Sequence, residues 1–453
     1  MRSDTADTAS DTGAAEDDFA LARVPAAKRY HWFSIAVQRF GMLSSLASFL
    51  IGATLGFGMT FWNAVLAITF GAVILEILTI FTGIAGQKEG LSTSVLARWT
   101  GFGRAGSSLI GLAIAISALG WFGIQNAVSA QGLVSLIGGL PLWGWALVFG
   151  LLVTVIVTFG IGSMAWTAYI AVPAFLVLAG WSIIVELSKH NLGDLLAAPP
   201  AGPTLSLLQG TSIVAGGFIV GAVITPDMSR FNRTPGDVVK QTIVGISVGE
   251  YVIGLIGVLL ALALKTNDVV AIVTSTSGFI GTLVIIAATL KINDWNLYAV
   301  SLGVVNFIDQ VFGRQVNRRL VTVVAGVLGS VLGAIGILNS FVDFLTLLGV
   351  VFPPIAGIMV AEYFVARTWR KELESSRAAG TLPATAPNWV PAGLIVWIVA
   401  ALIGKYVNWG LPSINSVVVA IVLYLIVAKL GLVRGIGESR THTDTPPAQL
   451  PAH

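Results

Sequence analysis

Four ionisable side chains lie where water is not expected. Glu76, Glu250, Lys291 and Asp294 each fall inside a long apolar stretch, the last two within "TLKINDWNLY", residues 289 to 298. A charge at the centre of a bilayer costs about 2.5 to 3.5 kcal/mol on insertion scales, so it is seldom retained without a role, commonly the movement of protons or ions. Asp294 follows Lys291 by three residues, within reach on a helix surface, and Glu76 and Glu250 are the other two candidate counter-ions. Burial in general eases proton loss from a lysine. One reading of Lys291 is therefore proton coupling, and the other is a permanent ion pair that only fixes its helix.

A second set of side chains offers recognition. Trp121 and Gln125, in "LGWFGIQNAVSAQG", are four residues apart and share one face of a helix. An indole that stacks on a ring, beside an amide that donates and accepts at its edge, suits a flat heteroaromatic ligand. The same pair also serves as a packing tryptophan and an interhelical amide bond, and the residues alone leave both open.

These groups need elements to hold them. Of 453 residues, 55% are hydrophobic and 10% charged, against roughly 25% charged in an ordinary soluble domain. Twelve apolar runs recur, at 32–55, 62–86, 106–130, 143–162, 168–188, 207–226, 242–264, 279–306, 320–338, 341–364, 388–404 and 414–433. A helix of about 20 residues crosses a bilayer core of about 30 Å, so the expected fold is an all-α integral membrane protein with 12 transmembrane helices. Segment 1 carries Gly41, Ser44 and Ser45, and segment 6 carries Gly216, Gly217 and Gly221, all poor helix formers at membrane depth. Two interruptions five segments apart predict an inverted repeat of five plus five helices, with helices 1 and 6 broken and a binding site at the midplane between them. Glycines also permit close helix packing, which is the competing explanation.

The expected organisation is a disordered cytosolic tail over 1–30, a first repeat over 31–190, a second over 207–364, two further helices over 388–433 and a second disordered tail over 434–453. The acidic start carries no signal-peptide pattern. With both ends placed in the cytosol, 21 of the 25 Lys and Arg residues fall on the cytosolic side, three outside (Lys189, Lys265, Lys405) and one, Lys291, in the bilayer. Membrane orientation thus accounts for the basic balance without nucleic acid. No cysteine is present, and the four histidines, His31, His190, His442 and His453, lie in tails or at segment edges. That leaves no expected metal site, no cofactor and no clustered nucleophile or base for a membrane-embedded enzyme.

Seven stretches in order complete the reading: "GATLGFGM", "QKEGLSTSVLARWTGFG", "LGWFGIQ", "GGFIVGAVITPDMSRFNR", "NDWNLYAVSLG", "FPPIAGIMVAEYF" and "NWV". On these the chain resembles the nucleobase:cation symporter-1 family, nearest its bacterial cytosine permeases, along nearly all of its membrane part. The resemblance implies a leucine-transporter-like architecture in the cell membrane and uptake by alternating access of a nucleobase with a co-transported cation. Residue by residue, it implies that Trp121 and Phe218 sandwich the base. It matches Gln125 to a glutamine that hydantoin-transporting members use, and places Ala118 and Ala288 where cytosine permeases have substrate-contacting amides. These departures count against cytosine itself; the resemblance implies a nucleobase, cytosine, a purine or a related planar ring, and a hydantoin or vitamin is the alternative. Asn293 and Asn296, on segment 8, complete the candidate substrate set. Sodium-coupled members carry a hydroxyl pair just before Asn293 that binds Na⁺ with backbone groups of the segment 1 break, here around Gly41 and Ser44. Lys291 and Ile292 replace that pair, so the resemblance implies H⁺ rather than Na⁺ as the coupling ion, or a uniporter if Lys291 is a fixed charge.

Overall fold

The structure, a computed structural model, describes residues 19, 22–159, 164–407 and 409–440. The expected tails lie outside these residues over 1–18 and 441–453. Each of the twelve apolar runs lies largely on a helix or on helices joined end to end. The first half contains α1 (Trp32–Leu43), α2 (Leu46–Gly58), α3 (Phe61–Glu89), the short α4 (Thr93–Leu96), α5 (Arg104–Leu136), α6 (Leu142–Phe159) and α7 (Met164–Leu187). A short α8 (Leu192–Ala197) leads to α9 (Leu207–Val223), α10 (Pro226–Ser229), α11 (Pro235–Thr242), α12 (Val248–Leu264), α13 (Val269–Phe312) and α14 (Arg318–Ala334). The chain ends with α15 (Phe341–Val351), α16 (Pro353–Val360), α17 (Arg370–Ala378), strand β1 (Thr385–Trp389), α18 (Pro391–Tyr406), α19 (Pro412–Lys429) and β2 (Ile436–Arg440). By length and composition, six helical stretches among the described residues are fit to cross a bilayer, or seven with α1 and α2 taken as one bent span. The other runs form shorter apolar helices, including α6, α9 and α18.

Segment 1 breaks where serines replace apolar residues. α1 stops at Leu43, α2 starts at Leu46, and the two bend by 58°. Ser45 is extended between them (φ −134°, ψ 163°); serine hydroxyls compete for backbone partners and so disfavour helix continuation. Gly41 sits inside α1 rather than at the break.

Segment 6 departs from expectation. α9 runs without interruption through Gly216, Gly217 and Gly221 to Val223, and the chain turns only at Ile224 and Thr225, before Pro226. The glycines serve close packing instead. A Cβ on Gly216 would lie 2.1 Å from the Leu345 carbonyl oxygen of α15, and one on Gly217 would lie 2.2 Å from Ile51 of α2. With no water to compete for the backbone, helical bonds survive glycine's low propensity, whereas Pro226 has no N–H to offer.

The helices pair in a pattern that repeats. α2 packs along α12, α3 along α9, α5 along α13 and α6 along α14. Numbered by segment these are the pairs 1·7, 2·6, 3·8 and 4·9. Advancing each number by five exchanges the first two pairs and returns the last two to themselves. Segment 7 carries a π-helical stretch, Ile243–Ser247, between α11 and α12. α13 begins with a short arm that kinks at Gly278 (φ 56°), a backbone geometry favoured by glycine, so its long part starts where the run at 279–306 does.

The edges of the tails are more ordered than their composition indicates. Arg23 is buried and donates to the Glu89 carboxylate at 2.7 Å, to Ser376 Oγ at 2.8 Å and to the Thr381 carbonyl at 2.7 Å. Tyr30 N–H donates to Phe231 O at 2.7 Å. β2 pairs antiparallel with β1, Thr385 opposite Arg440 and Trp389 opposite Ile436. Residues from Ala22 onward and up to Arg440 are held by these backbone and charged-group bonds, which a charge-rich composition does not reveal.

Candidate functional site

The seam between α5 and α13 carries a polar stretch within an otherwise apolar contact. Ser129 and Thr289 share a short hydroxyl–hydroxyl hydrogen bond. Asn293, fully buried, donates through Nδ2 to the carbonyl of Phe122 at 3.1 Å, and Asn296 Nδ2 donates to Asn293 Oδ1 at 3.2 Å. Asn293 and Asn296, expected against substrate, thus first tie α13 to the backbone beside Trp121. Sequence reading did not single out Ser129 and Thr289; their sign was a pair of small hydroxyls on segments that the fold brings together.

Trp121 is half-buried at the border of two core clusters and meets Phe341 and Phe344 of α15 edge-on, at ring-centroid distances of 6.1 and 5.4 Å. One turn on, Gln125 is 3% exposed, and its Oε1 accepts no hydrogen bond. A buried amide oxygen left without a donor costs about 1 to 3 kcal/mol. An N–H arriving beside the indole would satisfy it. Phe218 is half-buried within the unbroken part of α9, on the edge of one of the clusters that Trp121 borders. Its position is therefore on a helix, not at an interruption. Phe341 also lines a cavity of about 420 Å³, together with Thr54, Gln131 and Asp268.

The charged set separates into three. Lys291 is partly exposed on the face of α13 that also bears the exposed Trp295, away from the face that carries Thr289 and Asn293 onto α5. Asp294, 1% exposed with Oδ1 accepting no hydrogen bond, is the carboxylate whose charge acts on Lys291. Glu76 accepts a short hydrogen bond from Ser247 in the π-helical stretch. Glu250 is 2% exposed on α12 and is engaged with neither. Ser44, at the break, is 3% exposed with a hydroxyl that has no partner. Of the three acidic candidates, Asp294 is the one that attends Lys291. No group of three or more His, Cys, Asp or Glu side chains suited to a metal exists among the described residues.

A bundle of apolar helices with a bent first span, crossed pairs that exchange under a five-helix shift, and an aromatic–amide face on α5 define a multi-pass membrane transporter rather than an enzyme. Residues 23–406 match the family described as permeases for cytosine/purines, uracil, thiamine and allantoin, and the chain belongs to that family. It is similar to the cytosine permease of Escherichia coli strain K12, with 30% identity over 431 residues that cover 95% of this chain and 98% of the relative. It is also similar to a hydantoin permease of Microbacterium maritypicum, at 26% identity, covering 87% of this chain and 84% of that one. Among solved structures, Mhp1 in an inward-facing conformation shares the fold with a TM-score of 0.76 at 22% identity, covering 92% of this chain and 97% of Mhp1. A closed Mhp1 with bromovinylhydantoin bound gives 0.71. A sodium-coupled sialic acid symporter gives 0.60 at 14% identity.

Proposed function

We propose that this chain imports a planar heterocycle of the nucleobase type, cytosine, a purine or a related ring, across the cell membrane by alternating access, with both termini in the cytosol. The observation that carries the reading is the buried Gln125 Oε1 without a donor, one turn from the half-buried ring of Trp121. A stacked ring with an N–H at its edge answers both. The similarity to proteins named cytosine permease and hydantoin permease, and to a structure named with a bound hydantoin, supports that ligand class. On this reading the cavity of about 420 Å³ beside Phe341 serves as the approach to the site from outside.

The coupling ion in this reading is H⁺. Lys291 and Ile292 stand where sodium-coupled members carry a hydroxyl pair, and neither an ammonium nor an alkyl group ligates Na⁺, which takes oxygen donors. Asp294 is the counter-ion. The pairing of Lys291 with a carboxylate on its own helix also favours a second reading, a fixed charge in a uniporter.

Purified protein in liposomes, given labelled cytosine, adenine, hypoxanthine, uracil or hydantoin under a pH gradient, a Na⁺ gradient or neither, tests all of this. Accumulation under the pH gradient alone supports proton-coupled import and names the substrate. Accumulation that requires Na⁺ overturns the role given to Lys291, equilibration without accumulation selects the uniporter, and no uptake of any ring removes the ligand class. Lys291→Ala should abolish accumulation while leaving exchange of substrate across the membrane.

A further inference from the structure

Glu250 is the buried charge that the transport reading leaves without a task. Its place follows from the glycines around it. A Cβ on Gly245 would meet the Arg39 side chain at 2.9 Å, and one on Gly249 would meet Leu43, the last residue of α1, at 2.7 Å. Higher on the same helix, a Cβ on Gly257 would lie 2.6 Å from the Phe49 carbonyl oxygen and 2.8 Å from the Ala53 nitrogen, both in α2. Glu250 and Gly257 are seven residues apart and share a helical face, so Glu250 faces segment 1 two turns below that contact. Two turns below Phe49 and Ala53 is the break between Leu43 and Leu46.

The break has polar groups to offer. Ser45 makes no side-chain cap for α2, so the first N–H groups of that half-helix carry their partial positive charge uncapped. The Ser44 hydroxyl, 3% exposed, has no partner. Glu250 itself has no hydrogen bond or ion pair among the described residues, and no charged neighbour acts on its carboxyl group. An isolated carboxylate buried from water costs many kcal/mol unless a proton or a partner neutralises it.

No charged group on the elements packed against α12 acts on Glu250. From α1 the charge is Arg39, fully buried, which donates to Gln241 at 3.0 Å and Thr225 at 3.4 Å and leaves Nη1 unbonded. From α3 it is Glu76, bonded to Ser247, with Lys88 and Glu89 at the far end. α7 brings Glu186, held by Lys189 at 3.0 Å, and α8 brings Asp194 in its first turn. α13 brings Lys291 and Asp294 acting on each other, with Asp309 near its end. On α12 itself Tyr251 bonds Thr69 at 2.6 Å.

We propose that Glu250 is a proton-binding site of its own, separate from the Lys291–Asp294 pair, and that its proton state sets the conformation of the segment 1 break. With the proton on, the neutral acid sits buried beside Leu43. With the proton released, the carboxylate turns to the uncapped N–H groups of α2 and the Ser44 hydroxyl. The proposal rests on the transport reading for its consequence, since the break is where alternating access moves.

Infrared titration of the purified full-length protein reads the acid directly. The wild type should show a carboxylic-acid C=O band that disappears reversibly as pH rises. Glu250→Gln should lack it, Glu76→Gln and Asp294→Asn should keep it, and Glu250→Asp should shift its titration midpoint. Persistence of the band in Glu250→Gln overturns the proposal. In liposomes, Glu250→Gln should exchange labelled cytosine at equilibrium yet lose pH-driven accumulation, and wild-type accumulation by that variant also overturns it. If the wild type moves no ring at all, the transport reading fails while the infrared band still decides Glu250.

Discussion

Glu89 and Glu250 are equally buried, each 2% exposed, in opposite surroundings. Glu89 closes α3 and accepts from Arg23 at 2.7 Å, Arg377 at 2.6 Å and the Tyr363 hydroxyl at 2.7 Å. Glu250, next in sequence to the Gly249 that packs on Leu43 at the bend in segment 1, has none of these. The contrast recurs between two other buried carboxylates. Glu362 accepts from the Thr368 backbone and hydroxyl at 2.5 and 2.9 Å and from Tyr424 at 3.0 Å, while Asp294 Oδ1 accepts no hydrogen bond. Burial alone therefore does not distinguish a fastening from a working group. The set of partners does, because a satisfied network resists rearrangement and an unsatisfied group awaits a ligand or a proton.

The largest effect should come from breaking the fastening. Glu89→Ala would strand the buried Arg23 and the half-exposed Arg377, and removal of one partner from a buried ion pair costs about 3 to 5 kcal/mol. Thermal unfolding in detergent should show a large drop, whereas Glu250→Gln should leave the midpoint near wild type. Equal losses from both would erase the distinction. Next in size, Trp121→Ala should weaken ring binding by about 1 to 3 kcal/mol, the usual worth of stacking one base on an aromatic side chain. Isothermal titration with the transported ring checks this, with Trp121→Phe recovering part of the loss. A smaller change, about 0.5 to 1.5 kcal/mol, should follow Asn293→Ala, which removes one interhelical hydrogen bond between α13 and α5. Chemical unfolding measures that one, and an uptake defect far exceeding the stability loss would show that Asn293 touches substrate after all.

How much of this contrast was readable in the sequence depends on range. The apolar runs were, because each is a local pattern long enough to demand a helix. So was the spacing of Trp121 with Gln125 and of Lys291 with Asp294, since neighbours on one helix face are fixed by the 3.6-residue turn. The break at Ser44 and Ser45 was legible through its serines. The glycines of segment 6 were not, because a glycine that lets a helix break and one that lets a neighbour approach look the same until the neighbour is known, and here it is Leu345. Gly249 against Leu43, next to Glu250, and Glu89 joined to Arg377 across 288 positions, depend on contacts between distant segments that no local pattern encodes.

Asp227 gives the contrast its finest test, because it combines a partner with burial. It lies in α10, just beyond the apolar run, and accepts from the Thr93 backbone N–H at 2.7 Å. Burial pushes its carboxyl above the ordinary 3.8, against the pull of the Thr93 bond and the nearby Arg230 charge. A carboxyl raised in the fold holds its proton more tightly folded than unfolded. Its contribution to stability is therefore greatest below the unfolded value and declines as pH climbs from 3.8 through the folded value. Asp227→Asn keeps a carbonyl oxygen for Thr93 but cannot ionise, so the decline over that acidic window should flatten. Unfolding midpoints of wild type and variant, compared across that window, read the difference directly. If the wild type instead gains stability over the window relative to Asp227→Asn, the bonds to Asp227 outweigh its burial, and it belongs with Glu89 among the fastenings.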